Sequence, residues 1–224
     1  VNESFDISYA FYEQLGAEGL SARTRAEWDT QIVQQLLLML EPGQCVLDVG
    51  CGYGRTSLPL VESGYRVVGL DISNRLLRAH QEEAGRRGVS LELIRASMCS
   101  MPFQSNTFDV AMCLWSAFYE LLTVREQLAA IKEAFRVIRP GGWYLMEGTV
   151  YEHAVRAQGL DDDVRSNHER LVQNTIEGLK NPHFGHDAES LTRLMLRSGI
   201  KTFDTYVDNW AGRPRRFLRF SKPE

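Results

Sequence analysis

Cysteine is scarce and unpaired in this chain. Only Cys45, Cys51, Cys99 and Cys113 occur, and no two are spaced as Cys-x-x-Cys. That spacing gives no support to a disulfide framework or a structural zinc site, and it suits a reducing compartment. Long apolar runs are missing too. The richest, Ile32 to Leu40, is broken by Gln34 and Gln35 and is too short to cross a bilayer. No long basic run offers a footprint for a phosphate backbone, and the net charge is −4, so a nucleic-acid partner is not expected. The densest cationic stretch, Arg213, Arg215, Arg216 and Arg219, is read as solvated charge on an edge hairpin. Repeats and low-complexity tracts are lacking, and no secretory leader is visible in the polar first residues. A cytoplasmic location is the expectation.

What is present is an alternation. The 224 residues, 44% of them hydrophobic, suffice for one domain with a core that needs no staples. Trp28, Ile32, Leu36, Leu37 and Leu40 form a helical stripe that Pro42-Gly43 ends. Short apolar runs follow at Cys45 to Val49, Val67 to Leu70, Leu91 to Ile94, Phe108 to Leu114 and Trp143 to Met146. Helical segments separate most of them: Arg55 to Ser63, one capped by Ser73 and stopped before Gly88, and Val124 to Ile138. Such βαβ spacing predicts an α/β, Rossmann-like doubly wound, mostly parallel seven-stranded sheet with helices on both faces. Thr202 to Val207 and Arg216 to Phe220 add a C-terminal antiparallel hairpin. The expected layout is one domain over 1–224. A helical cap covers 1–40, a cofactor-binding core 41–150, an irregular substrate lid 151–187, and a last helix with the hairpin 188–224.

Gly50, Gly52 and Gly54 follow the first strand directly. Spaced glycines opening a helix let a ligand approach the backbone near the positive end of that helix. Asp71 ends the second strand, where a carboxylate can accept both hydroxyls of a ribose, although it could instead cap the helix at Ser73.

Four ordered motifs resemble those of the class I S-adenosylmethionine-dependent methyltransferases, over roughly residues 27–150. They are Val46 to Gly54, Val68 to Ser73, Met101-Pro102-Phe103 with Asn106 to Val110, and Arg139-Pro140-Gly141-Gly142. The resemblance implies that S-adenosylmethionine is the cofactor and S-adenosylhomocysteine the product. Asp48 and the loop of Gly50, Cys51, Gly52 and Gly54 would surround its methionine part, Asp71 its ribose, and Ile72 one adenine face. Ser97 and Met98 stand where the family reads the adenine edge, with Ser97 replacing its usual acid. Leu114 and Trp115 would flank the cofactor, and Tyr9 and Tyr12 resemble the aromatic lid of small-molecule members.

Acceptor contacts are expected from Tyr119, Glu147 and His153, although the aromatics could complete the core and Glu147 could pair with a surface arginine. No metal is expected, and His183 and His186 are read as loop residues. Where base methyltransferases place Asn-Pro-Pro-Tyr or Asp-Pro-Pro-Tyr after the fourth strand, this sequence reads Cys113-Leu114-Trp115-Ser116. A small-molecule acceptor with an N or O nucleophile is therefore expected, with no nucleic acid or membrane partner and a monomer or homodimer. Two competitors share the glycine turn: a nucleoside-binding module without catalysis, and a nicotinamide-dependent oxidoreductase. The second would place its third glycine one residue later than Gly54.

Overall fold

The computed structural model describes residues 3–151, 170–212 and 214–224. Two helices come first, α1 (Glu3–Ser21), kinked at Gly16, and α2 (Ala26–Met39). Then follow β1 (Cys45–Val49), α3 (Ser57–Glu62), β2 (Arg66–Asp71), α4 (Asn74–Arg86), β3 (Glu92–Arg95) and β4 (Phe108–Cys113). The second half holds α5 (Val124–Val137), β5 (Ile138–Thr149), β6 (Leu171–Ile176), β7 (Leu179–Phe184), α6 (Ala188–Ser198), β8 (Phe203–Asp208) and β9 (Arg215–Ser221).

Seven strands form one sheet in the order β3-β2-β1-β4-β5-β9-β8. The first five run parallel, and β9 lies antiparallel between β5 and β8. Side chains alternate across each strand, which sorts the core into two layers. Leu47, Ala111 and Tyr144 face α5 and α6, where Ile131, Ala134, Leu191 and Leu194 pack. Val46, Val110 and Leu145 face the other way, onto Ile32 and Leu36 of α2 and Leu60 of α3. This is the expected doubly wound sheet. The strand order reverses beside β1, and in open α/β sheets ligands bind at that crevice, beyond the carboxyl ends of the strands.

Helix ends follow their local chemistry. Ser73 caps α4 by accepting from the Leu76 N–H at 3.1 Å. Thr123 and Glu126 form a capping box on α5, and Gly199 closes α6 in the left-handed region.

Three expectations need correction. The fifth strand, expected from Trp143, begins at Ile138, so Pro140-Gly141-Gly142 lies inside β5, where a bulge sets Ile138 to Trp143 against Phe108 to Val110. Gly142 is required there, because a Cβ would sit 2.6 Å from the Asp109 carbonyl oxygen. The 151–187 segment is not irregular throughout, since β6 and β7 pair as a hairpin about Glu177-Gly178. Both turn residues have positive φ, 51° and 80°, as a two-residue hairpin of primed type demands. The arginines of the last hairpin are not all solvated: Arg215 and Arg216 are 3% and 4% exposed. Arg219 lies over the Trp143 ring, and Arg213 lies outside the described residues.

All four cysteines are free. Among the described residues no helix is long and apolar enough to cross a membrane. No group of three or more His, Cys, Asp or Glu among them is placed to hold a metal.

Candidate active site

A cavity of about 240 Å³ opens beyond the carboxyl ends of β1, β2 and β4. Its floor is the glycine turn. The Gly50 and Cys51 N–H groups both donate to the Leu70 carbonyl, at 2.7 and 3.1 Å, which ties the turn to the end of β2. Gly50, Gly52 and Gly54 all have positive φ, but for different reasons. A Cβ on Gly50 would meet Ala117 at 2.7 Å, and one on Gly54 would meet the His80 ring at 2.6 Å. At Gly52 a Cβ would meet nothing within 4 Å, so that face is left open toward the cavity.

Asp71 spans the turn. One oxygen accepts from the Gly52 N–H at 2.8 Å and the other from the Ser73 N–H at 2.9 Å. The acid therefore steadies the start of α4, the local alternative expected for it, and also ties that start to the glycine loop. Burial lifts its pKa to about 6 against those hydrogen bonds, with the nearby Glu120 charge adding to the rise. Asp48 is buried deeper and accepts from the Ser57 hydroxyl. Burial raises its pKa to about 7, opposed by Ser57 and helped by the Asp71 charge. No lysine or arginine bonds to either acid among the described residues. Behind the loop, His80 is fully buried and burial lowers its pKa to about 4, so it stays neutral.

The roof is α1. Glu13 accepts from the Ser73 hydroxyl and the Arg75 N–H, and Arg75 reaches back to the Glu13 and Gln14 carbonyls. At the other end Ser4 bonds Glu126 of α5 and accepts from the Leu122 N–H. Phe5, Ser8 and Tyr12 are thereby held against the cavity.

Eleven of the cofactor residues expected from the sequence line this one space: Asp48, Gly50, Cys51, Gly52, Asp71, Ile72, Ser97, Met98, Leu114, Trp115 and Tyr12. Gly54 and Tyr9 are not in the lining. Gly54 packs behind the loop on His80, and Tyr9 is half-buried, stacked with Phe5 under Arg95. Trp115 has φ 58°, and the Arg55 guanidinium sits 3.5 Å over its ring while bonded to Asp29.

The acceptor-side residues fall differently. Glu147 is fully buried, ion-paired with Arg215 and accepting from the Trp115 N–H at 2.6 Å. Arg215 in turn donates to Ser116 and Thr149. The pair braces Trp115 and Ser116, both in the left-handed region. Glu147 does pair with an arginine, but a buried one, and it lies off the cavity. Tyr119 is also fully buried, pressed on Gly148, where a Cβ would fall 2.3 Å from its ring. Its hydroxyl has no partner among the described residues. His153 lies outside the described residues.

A cluster that sequence reasoning passed over sits beside the cavity. Glu120, next to Tyr119 and only 8% exposed, lines the wall. Its Oε1 accepts from the Tyr12 hydroxyl and from Asn181 Nδ2, and lies 3.6 Å from His183 Nε2. Asn181 and His183 come from β7, so the hairpin read as lid carries side chains to the site. His186 instead packs fully buried among Phe118, Tyr119 and Phe184, where burial lowers its pKa to about 3.

Comparison with known proteins agrees with this geometry. Residues 46–142 match the family model described as Methyltransferase domain. An uncharacterized protein of Mycobacterium bovis is 34% identical over 101 residues, 45% of this chain and 35% of that protein. A demethylmenaquinone methyltransferase of a Geobacillus strain is 27% identical over 146 residues, 63% of this chain and 59% of the enzyme. The chain thus spans about a third to three fifths of the length of these relatives. The magnesium protoporphyrin IX methyltransferase of Synechocystis, solved with bound S-adenosylmethionine, superposes with a TM-score of 0.68 at 15% identity. That match covers 98% of this chain and 97% of the other.

The sheet order is that of the Rossmann-like fold shared with that solved structure. The match to the family model runs over residues 46–142, from β1 into β5, and so takes in the glycine turn and Asp71.

Proposed function

We propose that this protein transfers a methyl group from S-adenosylmethionine to a small-molecule acceptor held in the cavity under α1. The observation that carries the reading is one space walled by the glycine turn, Asp48 and Asp71, with acids but no bonded cation. That chemistry fits a cationic ligand. The open face at Gly52 lets its backbone approach, Asp71 would accept from the ribose, and Ile72 and Met98 would border the adenine.

When bound, the cofactor supplies a methyl group already activated on a sulfonium. The chain's own work is then orientation and exclusion of water, which together can contribute about 7–11 kcal/mol. The docked α1 keeps Phe5, Ser8 and Tyr12 over the cavity, and the Glu147–Arg215 brace holds the backbone of Trp115 beside it.

Calorimetric titration with S-adenosylhomocysteine tests this. Replacing Asp71 with Asn leaves one acceptor oxygen for two backbone N–H groups and removes the charge. Affinity is expected to fall by about 10–100-fold, the scale of a charged hydrogen bond of 1.5–3 kcal/mol. An unchanged affinity would remove the basis for the assignment.

A further inference from the structure

We infer that Glu120 is a general base for the transfer, and that the acceptor it serves is an apolar molecule carrying an acidic, phenol-like hydroxyl. This rests on the methyl-transfer reading above and deepens it. The carboxylate is gripped on one side only. Tyr12 from α1 and Asn181 from β7 both donate to Oε1. Among the described residues no hydrogen bond is formed by Oε2, yet it is not an orphaned buried atom, and Glu120 lines the cavity. The second oxygen is thus held in a fixed orientation and left available to a donor in the cavity. Groups facing Glu120 come from three elements: Tyr12 on α1, His183 on β7 and Asp71 at the end of β2.

The surroundings select the acceptor. Phe5, Leu20, Met98, Leu114 and Leu121 make much of the wall apolar. A carboxylate acceptor would enter a space lined by Asp48, Asp71 and Glu120, whose one lining cation among the described residues, Arg55, is already paired with Asp29. A neutral amine needs no base. A hydroxyl does, and a carboxylate takes the proton of an acidic hydroxyl far more readily than that of an alkyl alcohol. In the step, the hydroxyl oxygen forms its bond to the methyl carbon as the methyl–sulfur bond breaks. The electrons of that bond remain on sulfur, and the hydroxyl proton passes to Glu120 Oε2. The products are a methyl ether and S-adenosylhomocysteine, and the proton later leaves to solvent.

Two phenols of similar size and different acidity make the test: 4-methylphenol and 4-nitrophenol, at about pH 8.5, where the first is neutral and the second largely ionised. Glu120→Gln keeps an oxygen for Tyr12 and Asn181, and its melting temperature and S-adenosylhomocysteine affinity report whether the fold and cofactor site survive. Methylation of 4-methylphenol from labelled S-adenosylmethionine is expected to fall by about 10²–10⁴-fold, and that of 4-nitrophenol much less. Binding of 4-nitrophenol to the S-adenosylhomocysteine-loaded protein, read by calorimetry, is expected to tighten in the variant, since a buried like charge is gone. Equal losses on both phenols, unchanged phenol binding, or a wild type that binds the cofactor but methylates neither phenol or prefers 4-methylaniline each overturn the inference. If the wild type binds neither S-adenosylmethionine nor S-adenosylhomocysteine, the methyl-transfer reading itself fails.

Discussion

At the carboxyl edge of the sheet the protein buries carboxylates in two neighbouring places and treats them oppositely. At the end of β5, Glu147 is matched by the buried guanidinium of Arg215 and by the Trp115 N–H. At the ends of β1 and β2, Asp48 and Asp71 have only a hydroxyl and backbone N–H groups, and both pKa values are raised. The difference separates a brace from a binding site. Where the counter-charge is built in, the acid is spent on shape. Where it is left out, the acid suits the role proposed for it, awaiting a cation that arrives with the ligand.

The largest expected effect comes from breaking the brace. Arg215→Met leaves Glu147 buried without its cation, which costs about 3–5 kcal/mol in such settings. Urea unfolding should show that loss. Adding Glu147→Gln, which still offers an oxygen to Trp115, should restore more than half of it. A double variant no better than the single would mean that Arg215 matters for packing and not for charge.

The opposite behaviour is expected at Asp48. Its pKa in the folded protein is about 7, against about 3.9 in an unfolded chain. Between those values the folded state holds the extra proton, so stability falls as pH rises through the window and stays reduced above it. Asp48→Asn removes this dependence. The ligand-free variant is expected to be more stable than wild type at pH 8, by about 1–3 kcal/mol, with the gap closing toward pH 5. Thermal melts at the two pH values check it. Affinity for S-adenosylmethionine should move the other way: weaker in the variant, and in wild type weakening as pH drops below about 7. A variant less stable than wild type at both pH values would show that Asp48 is not held at a cost.

This contrast also marks what could be read without coordinates. The sheet, its order of strands and helices, and the acid-and-glycine crevice follow from local signals: alternating apolar runs, Ser73 and Gly199 at helix ends, glycines after Val49. The cluster proposed for the acceptor side did not, because its members are distant in sequence. Glu120, Asn181 and His183 meet only through the β6–β7 hairpin, whose turn carries Glu177 where Asn or Asp would announce it. Pro182 further disguises β7 as a loop. Glu147 misleads in the same way, since a carboxylate at the end of a strand looks catalytic until Arg215, 68 residues on, is seen to reach it. Buried arginines on an edge hairpin run against the usual solvated reading.

The smallest expected effect is the sharpest probe of the open side. Gly52 has φ 53°, within the left-handed region that other residues enter at a cost of about 1–2 kcal/mol. Since a Cβ there would touch nothing within 4 Å, Gly52→Ala should fold with only that loss. Gly54→Ala adds a contact at 2.6 Å with His80, a fully buried ring with little room to give, so it should be the less stable of the two. Ligand affinity should rank the other way. Gly54 packs behind the loop, whereas Gly52 faces the cavity and donates to Asp71, so the added methyl at 52 stands where the cofactor backbone would approach. Denaturation and calorimetry on the pair give both rankings. If Gly52→Ala binds S-adenosylhomocysteine as wild type does, its open face is not the ligand's approach, and the missing counter-charge beside it needs another explanation.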